Sequence, residues 1–372
     1  MHVENVSIKD ITTEQIVQWN RWAAPNGTLA SPYFRFEFAE TVSWAREDVR
    51  VGIIRDGEEI LAYFPHHMPK DGIARPIGAP MSDYQGVIAG DYSRLSLDLV
   101  AKAAGCSALV YDNWYCPMGG HPGGLRERDG SVIADLGEGA DSYFAQRKTA
   151  FKDHFKKSAR RQRAAERDFG PVRVELGDAS GEAFAALVDW KRRQYTETGK
   201  LDVMGIPWVR RVLDDLRRRE GQEFSGLTAS LWFGDRLAAV EFGLVGADIY
   251  HSWFPAYDPD LAKYSPGLLL LHGLFEQAQD RGLQRIDLGR GGAHYKKYYA
   301  SYEVALDSGR FLRPGLAALG IRGWEYAETA ASILPSKIAQ VPCRARRRWA
   351  QISAFETQFS SRINSFASAF SL

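Results

Sequence analysis

The chain has 372 residues, 45% of them apolar, and a formal net charge of +1. That length and apolar content suit two globular domains with sizeable cores and argue against disorder, and the near-neutral balance gives no global field for DNA or RNA. The three cysteines, Cys106, Cys116 and Cys343, form no CxxC pair and join no Cys/His cluster at metal-ligand spacing, so no metal is expected and a reducing compartment suits the chain.

The N-terminus, MHVENVSIKD, lacks the basic and apolar stretches of a secretion signal, and the longest apolar run, LLLLHGLF, is far too short to cross a bilayer. A cytoplasmic protein is therefore expected. ITTEQIVQWNRWA predicts an amphipathic helix capped by Thr12 or Thr13, and SPYFRFEFAETVSWA a second helix after a proline entry. A hairpin follows in VRVGIIRDGEEILAYFPHHM, where a DG turn separates apolar runs. In the turn after it, GAPMSDY, Asp83 and Tyr84 are candidate acceptor contacts facing a cleft between the halves of the chain.

A boundary falls after GGHPGGLRERDG and the strand SVIADLG. Three regions result: 1–140, 141–312, and a basic, amphipathic tail at 313–372. The middle region opens with a long helix carrying Lys152, Lys156, Lys157, Arg160, Arg161, Arg163 and Arg167. Such a run is either a solvated face or a rim that attracts phosphate groups.

From Leu227 to Tyr299 the elements are a hairpin, LTASLWFGDRLAAVEFGLV, an aromatic strand, DIYHSWFPAYDP, a turn and helix, KYSPGLLLLHGLFEQAQDRG, and a last strand, QRIDLGRGGAHYKKYYAS. Setting Gly57 on Gly234 places Ile60 on Leu237, Ala62 on Ala239 and Phe64 on Glu241, so one hairpin is used twice and an internal duplication is indicated. In YSPG, Ser265 suits an N-cap, Pro266 the first helical position and Gly267 close approach of a ligand, and a helix N-terminus offers unpaired N–H groups to a phosphate. Lys263 and Tyr264 precede that entry, and the alternative for the segment is an ordinary capped helix.

Three groups are candidates to handle an acceptor proton or its binding. Glu241 lies on the inner hairpin strand, where a carboxylate facing a cleft can serve as a base; His251, beside Tyr250, titrates near neutrality; Asp287 ends a strand before glycines. In HYKKYY, Tyr295 and Lys296 follow three glycines, and Lys296 suits an oxyanion or a phosphate, with a solvated surface as the alternative. Signatures of serine hydrolases, zinc proteases, P-loops and dinucleotide folds are absent.

Taken together, FKKSARRQRAAERDFG, WKRRQYTETG, LAAVEFGLV, YSPGLLLL and IDLGRGGAHYKKYYAS resemble the GNAT-type acyltransferase domain of the CelD-like group, related to the FemABX aminoacyltransferases, over roughly Tyr143 to Ser301. PIGAPMSDYQGVI is similar to the degenerate first domain of such proteins. The resemblance implies an α/β fold of tandem GNAT-like domains, mixed sheets flanked by helices, followed by a helical tail. It further implies N-acyl transfer, acetyl first, from an acyl-coenzyme A to an amine on a sugar or lipid-linked precursor of a bacterial exopolysaccharide, holdfast-type polymers included. The donor then rests on Lys263, Tyr264, Ser265, Pro266 and Gly267. Glu241, His251 and Lys296 are the catalytic candidates, and Asp83, Tyr84, Tyr250, Asp287 and Tyr295 the substrate contacts. Two alternatives stay open, a long-chain acyltransferase acting on a lipid amine and a non-catalytic binding or regulatory protein.

The tail carries Arg344, Arg346, Arg347 and Arg348 ahead of a stripe of Ile352, Phe355, Phe359, Ile363, Phe366 and Phe370. Residues spaced three and four apart form one helical face, which fits either a peripheral helix at the inner face of a membrane or a helix packed on the protein's own core. The arginine spacing also suits an anionic ligand such as a cyclic dinucleotide.

Overall fold

The structure is a computed structural model; it describes all residues except 25–28, 69–70, 117–124, 222, 332–344, 346–347, 357–361 and 364–372. The first half runs β1 (His2–Val6), α1 (Thr13–Trp22), α2 (Phe36–Ala45), β2 (Val49–Asp56), β3 (Glu59–His67), β4 (Ile73–Pro76), β5 (Ile88–Ala89), α3 (Leu97–Ala103) and β6 (Ala108–Trp114). After β7 (Leu125–Asp135) come α4 (Ala140–Ala150), α5 (Lys152–Phe169), β8 (Val172–Leu176), α6 (Glu182–Glu197) and α7 (Pro207–Arg218). The remainder is β9 (Phe224–Phe233), β10 (Arg236–Gly246), β11 (Ile249–Tyr257), α8 (Pro266–Gln277), β12 (Arg285–Arg290), β13 (Tyr302–Leu312) and α9 (Leu316–Ala331).

Two compact units emerge, the first built from residues 1–22, 46–128 and 307–372 and the second from 23–45 and 129–306. Residues 23–45 thus cluster with the second unit although they precede most of the first, and 307–372 return to the first. In the first unit the strands lie in the order β1-β2-β3-β4-β6-β13, with β4 and β6 parallel. In the second the order is β8-β9-β10-β11-β12-β7, with β11 and β12 parallel. Each sheet therefore has a four-stranded antiparallel meander, β1 to β4 or β8 to β11, then a parallel neighbour reached through a helix, α3 or α8, and then an antiparallel last strand. That last strand is exchanged: β7, which follows β6 in sequence, pairs with β12, while β13, which follows β12, pairs with β6.

Local chemistry explains the elements. Thr12 Oγ1 accepts from the Gln15 N–H at 3.3 Å and Gln15 Oε1 accepts from the Thr12 N–H at 2.9 Å, a reciprocal capping box that starts α1 where the sequence places it. The two hairpins turn at Gly57 (φ 61°) and Gly234 (φ 57°), a left-handed conformation that costs glycine little. Just past each turn the register slips by one residue: Arg55 faces Ile60 and Ile54 faces Ala62, skipping Leu61; Trp232 faces Leu237 and Leu231 faces Ala239, skipping Ala238. Leu61 falls on Ala238 under the Gly57/Gly234 superposition. Both copies carry the same bulge at the same place, so the duplication seen in the sequence extends to backbone geometry.

The second unit's core gathers Leu231 and Phe233 from β9, Tyr250 from β11, Leu270, Leu274 and Phe275 from α8, and Phe144 and Phe155 from α4 and α5. α8 is apolar nearly all round because it lies against strands β8 to β11, which explains the uninterrupted LLLL of its sequence. In the tail, Ile352 and Phe355 are buried, and the Ala354 carbonyl accepts from Arg46 at 3.1 Å, so this part of the stripe packs on the first unit. Arg348 bonds Gln351. Arg344, Arg346, Arg347, Phe359, Phe366 and Phe370 lie outside the described residues. No helix among the described residues is long and apolar enough to cross a membrane.

Candidate active site

β11 and β12 pair for only three residues, Ile249 with Arg285, Tyr250 with Ile286 and His251 with Asp287. Beyond that point β11 continues to Tyr257 bonded to β10 on one side, and β12 continues to Arg290, where it meets Ser131 of β7. The two parallel strands thus part, and among the described residues the edge of β11 from Ser252 onward has no strand on its β12 side. An open edge of this kind presents backbone N–H and C=O groups to an extended, amide-bearing ligand.

Glu241 stands beside this opening on β10. It is 5% exposed, and its Oε1 has no hydrogen-bond partner among the described residues. Burial raises its pKa above the ordinary carboxylate value; the neighbouring polar groups of Ser252 and Tyr250 and the charges of His251 and Lys191 pull the other way without cancelling that. Next to Glu241, β10 bulges between Phe242 and Gly243, where an added Cβ at Gly243 would lie 2.3 Å from the His251 carbonyl oxygen. A bulge re-aims the neighbouring side chains. Strict alternation offered Glu241 either solvent or a cleft, and its burial excludes solvent.

Of two further groups around Glu241, one was not singled out from the sequence and the other was given a different role. Lys191 of α6 has its pKa pushed down to about 8 by burial, against the opposing pull of Glu241. Tyr295 was named only as a substrate contact; burial, then the charge of Glu241, pushes its hydroxyl up to about 12, so it is a proton donor at any working pH. The same ring lines a cavity of about 680 Å³ whose other walls are Leu268 in the first turn of α8, His294 and Tyr298, and the start of α5 with Lys152, His154, Lys157 and Arg161. The field there is positive: His154 is held below its ordinary pKa by burial first and then by Arg161, His294 and Lys157. His154 Nε2 and His272 Nε2 both lie on the Tyr299 hydroxyl, at 2.9 and 2.7 Å, and the His154 ring stacks on Tyr298 at 3.9 Å. This chain fixes the cavity wall. Isolated histidines on separate helices give no spacing from which it could be read.

The other predicted residues fall elsewhere. His251 is fully buried, its Nδ1 3.2 Å from Asp287 Oδ2, with the Tyr33 ring edge-on at 5.0 Å. Asp287 Oδ1 accepts from Ser131 Oγ at 2.6 Å and the Gly289 N–H at 2.8 Å. By alternation His251 points to the opposite face of the sheet from Tyr250 and Ser252, so it and Asp287 tie three strands together from behind the opening. Tyr250 is fully buried in the core beside Glu241. Lys296, 8% exposed, donates to the Gly289 and Arg290 carbonyls at 2.9 and 2.8 Å, closing the turn after β12.

At the helix entry, Ser265 occupies the position before α8 but in a left-handed conformation (φ 53°), and its side chain makes no capping bond. The sequence predicted a capping serine; the preceding 3-10 turn, Pro259–Tyr264, ends on the same residue and dictates its backbone instead. Pro266 takes the first helical turn as expected, and the space a Cβ would occupy at Gly267 has only the Tyr257 ring within 4.0 Å. Lys263 is exposed with its ammonium 4.7 Å from the ring centre of Tyr264, whose hydroxyl donates to Asp168 at 2.6 Å. Asp83 and Tyr84 belong to the first unit, where the Tyr84 ring meets Tyr115 at 6.0 Å. Among the described residues no group of three or more His, Cys, Asp or Glu side chains could hold a metal ion.

Comparison with known proteins agrees with this geometry. Residues 153–297 match the acetyltransferase (GNAT) domain family. No curated protein matches the chain. Among solved structures, FemX superposes with a TM-score of 0.53 at 11% identity, covering 87% of this chain and 99% of FemX. A tandem GNAT protein from the clavulanic acid biosynthesis pathway gives 0.45 at 10% identity, covering 85% and 100%. The C-terminal domain of a lysylphosphatidylglycerol synthetase from Agrobacterium fabrum gives 0.46 at 14% identity, covering 77% and 90%. The FemX likeness is one of fold. Residues 153–297 are thus similar to the acetyltransferase (GNAT) domain family, and that match supports an acyltransferase.

Proposed function

We propose that the protein is an N-acyltransferase that moves an acyl group, acetyl first, from an acyl-coenzyme A to an amine of a sugar or lipid-linked precursor in exopolysaccharide biosynthesis. The observation that carries this reading is the open edge of β11 beside Glu241, a buried carboxylate with one oxygen unsatisfied. The donor's amide-bearing arm suits the free backbone groups beyond Ser252, and its phosphates suit the positive cavity wall of Lys152, Lys157 and Arg161 together with the first turn of α8. The acceptor amine attacks the thioester carbonyl, a C–N bond forms and the C–S bond breaks. Glu241 takes the proton from the amine, and Tyr295 can give one to the departing thiolate.

The decisive assay measures binding and turnover of acetyl- and long-chain acyl-coenzyme A with amino-sugar and sphingoid-base acceptors. Turnover of acetyl-coenzyme A with an amino sugar is the expected result. A preference for long-chain donors and sphingoid bases would shift the assignment to a lipid amine, and no binding of any thioester would sink both enzymatic readings in favour of a binding protein. The cavity wall gives a second prediction. The double substitution Lys157→Glu, Arg161→Glu should raise KM for the donor about tenfold or more while changing kcat little, because charge-assisted contacts to phosphate are worth about 1.5–3 kcal/mol each. An unchanged KM would remove α5 from the donor site.

A further inference from the structure

The first unit holds a separate cavity of about 430 Å³, within the size range of small-molecule sites. Ile73 and Val110 from its sheet, Ile321 and Trp324 from α9, and Trp349 from the tail form apolar walls. Into these walls is set Arg75 of β4, 9% exposed. An arginine keeps its charge at any working pH, and a guanidinium removed from water is costly unless a partner satisfies it.

Arg75 has no such partner among the described residues: its guanidinium makes neither a hydrogen bond nor an ion pair. Its cationic neighbours are engaged. Arg46 holds Asp48 at 2.5 Å, Arg362 holds Asp71 at 2.6 Å, and Arg310, also on the cavity wall, is paired with Glu325. Asp71 and Asp112 act on Arg75 from a distance, offset by Arg362 and Arg46. Asp112 and Glu127 also line the cavity, and neither is in contact distance for an ion pair with Arg75. A buried cation left over from every local pair, at the wall of an aromatic and aliphatic cavity, calls for a ligand with one anionic end and an apolar body.

We propose that this cavity binds a small amphiphilic carboxylate, its carboxylate paired with Arg75 and its aliphatic or aromatic body between Ile321, Trp324 and Trp349. The planar guanidinium matches a carboxylate bidentately, and the two indoles supply flat apolar surface. This site uses no residue of the acyl-transfer machinery and does not rest on that assignment.

Calorimetric titration of the full chain with decanoate, 1-naphthoate, and the neutral isosteres 1-decanol and 1-naphthalenemethanol tests it. At least one carboxylate should bind tenfold or more tightly than its neutral isostere. Arg75→Met should erase that preference, bringing the carboxylate down to the level of the alcohol. At Gly320, on the cavity wall, an added Cβ would meet nothing within 4 Å, so Gly320→Leu fills the space without a clash and should weaken carboxylate and alcohol alike. Equal binding of acid and alcohol by the unaltered protein, undiminished preference in Arg75→Met, or no binding of either carboxylate at millimolar concentration would each overturn the proposal. Should Arg75→Met fail to fold, the comparison of isosteres on the unaltered chain and the Gly320→Leu result decide the matter.

Discussion

Glu241→Gln should lower kcat by about 10²–10⁴-fold, the range that a positioned general base contributes, with the donor's affinity nearly unchanged. Glutamine keeps the shape of the side chain but cannot take a proton. In the unaltered enzyme, activity should rise with pH along a limb displaced above the ordinary carboxylate range, because burial holds Glu241 protonated longer and only the deprotonated form is a base. The groups near it are Tyr250 and Ser252 on β11, Lys191 on α6 and Tyr295, and His251 acts on it by charge from the opposite face of the sheet. Lys191→Met removes a cation that favours the carboxylate and should move the limb further up. The same shift has a stability counterpart. A folded pKa above the unfolded one means that the folded protein holds the extra proton; the benefit is complete below the unfolded carboxylate value and is lost as pH rises through the folded one. Glu241→Gln should therefore melt higher than the parent near neutrality and lose that advantage in acid. A variant with full turnover, or with an unaltered pH profile, would remove Glu241 from the chemistry.

The gain in stability and the loss of turnover come from one cause. Oε1 is buried without a partner, which costs the fold and leaves an oxygen ready to accept the acceptor's proton.

Much of this arrangement is legible in the sequence, because short-range chemistry writes it there. The DG and GD turns, the capping box at Thr12 and the apolar run of α8 each follow from side chains close in the chain. The hairpin duplication is visible for the same reason, and the structure adds to it the shared bulge at Leu61 and Ala238. Where a residue's surroundings come from distant segments, the local pattern stops informing. The exchange of β7 and β13 leaves each strand's own pattern intact, so nothing in either strand tells which sheet it joins. Ser265 obeys the turn before it rather than the helix after it. The triad of His154, Tyr299 and His272 assembles from α5, α8 and the HYKKYY turn, and the electrostatic influence of Lys191 on Glu241 reaches from α6 to β10. Glu241 could be singled out because an acid among apolar strand residues contradicts its neighbours. His251 could be singled out on the same ground, and there the contradiction has a structural resolution.

That resolution makes the last expectation the most destabilising. Asp287→Ala should cost about 2–5 kcal/mol, because a buried donor left without its acceptor costs about 1–3 kcal/mol and Asp287 serves two, read as a lower urea midpoint at unchanged m. The loss has three parts. His251, with no exposed surface, would lose its neighbouring carboxylate; Ser131 would lose an acceptor across the β7–β12 pairing; the Gly289 N–H would lose the bond that fixes the turn leading to Lys296. Asp287→Asn keeps an oxygen for Ser131 and Gly289 and should fall between the parent and alanine. The kinetics distinguish this strut from a substrate contact: turnover per folded molecule of Asp287→Asn should stay close to the parent, with KM for the acceptor unmoved, since Asp287 faces away from Glu241 and the open edge of β11. A well-folded Asp287→Ala within about 1 kcal/mol of the parent, or an Asp287→Asn enzyme whose acceptor KM rises tenfold, would return Asp287 to the binding site and reopen His251 as the base.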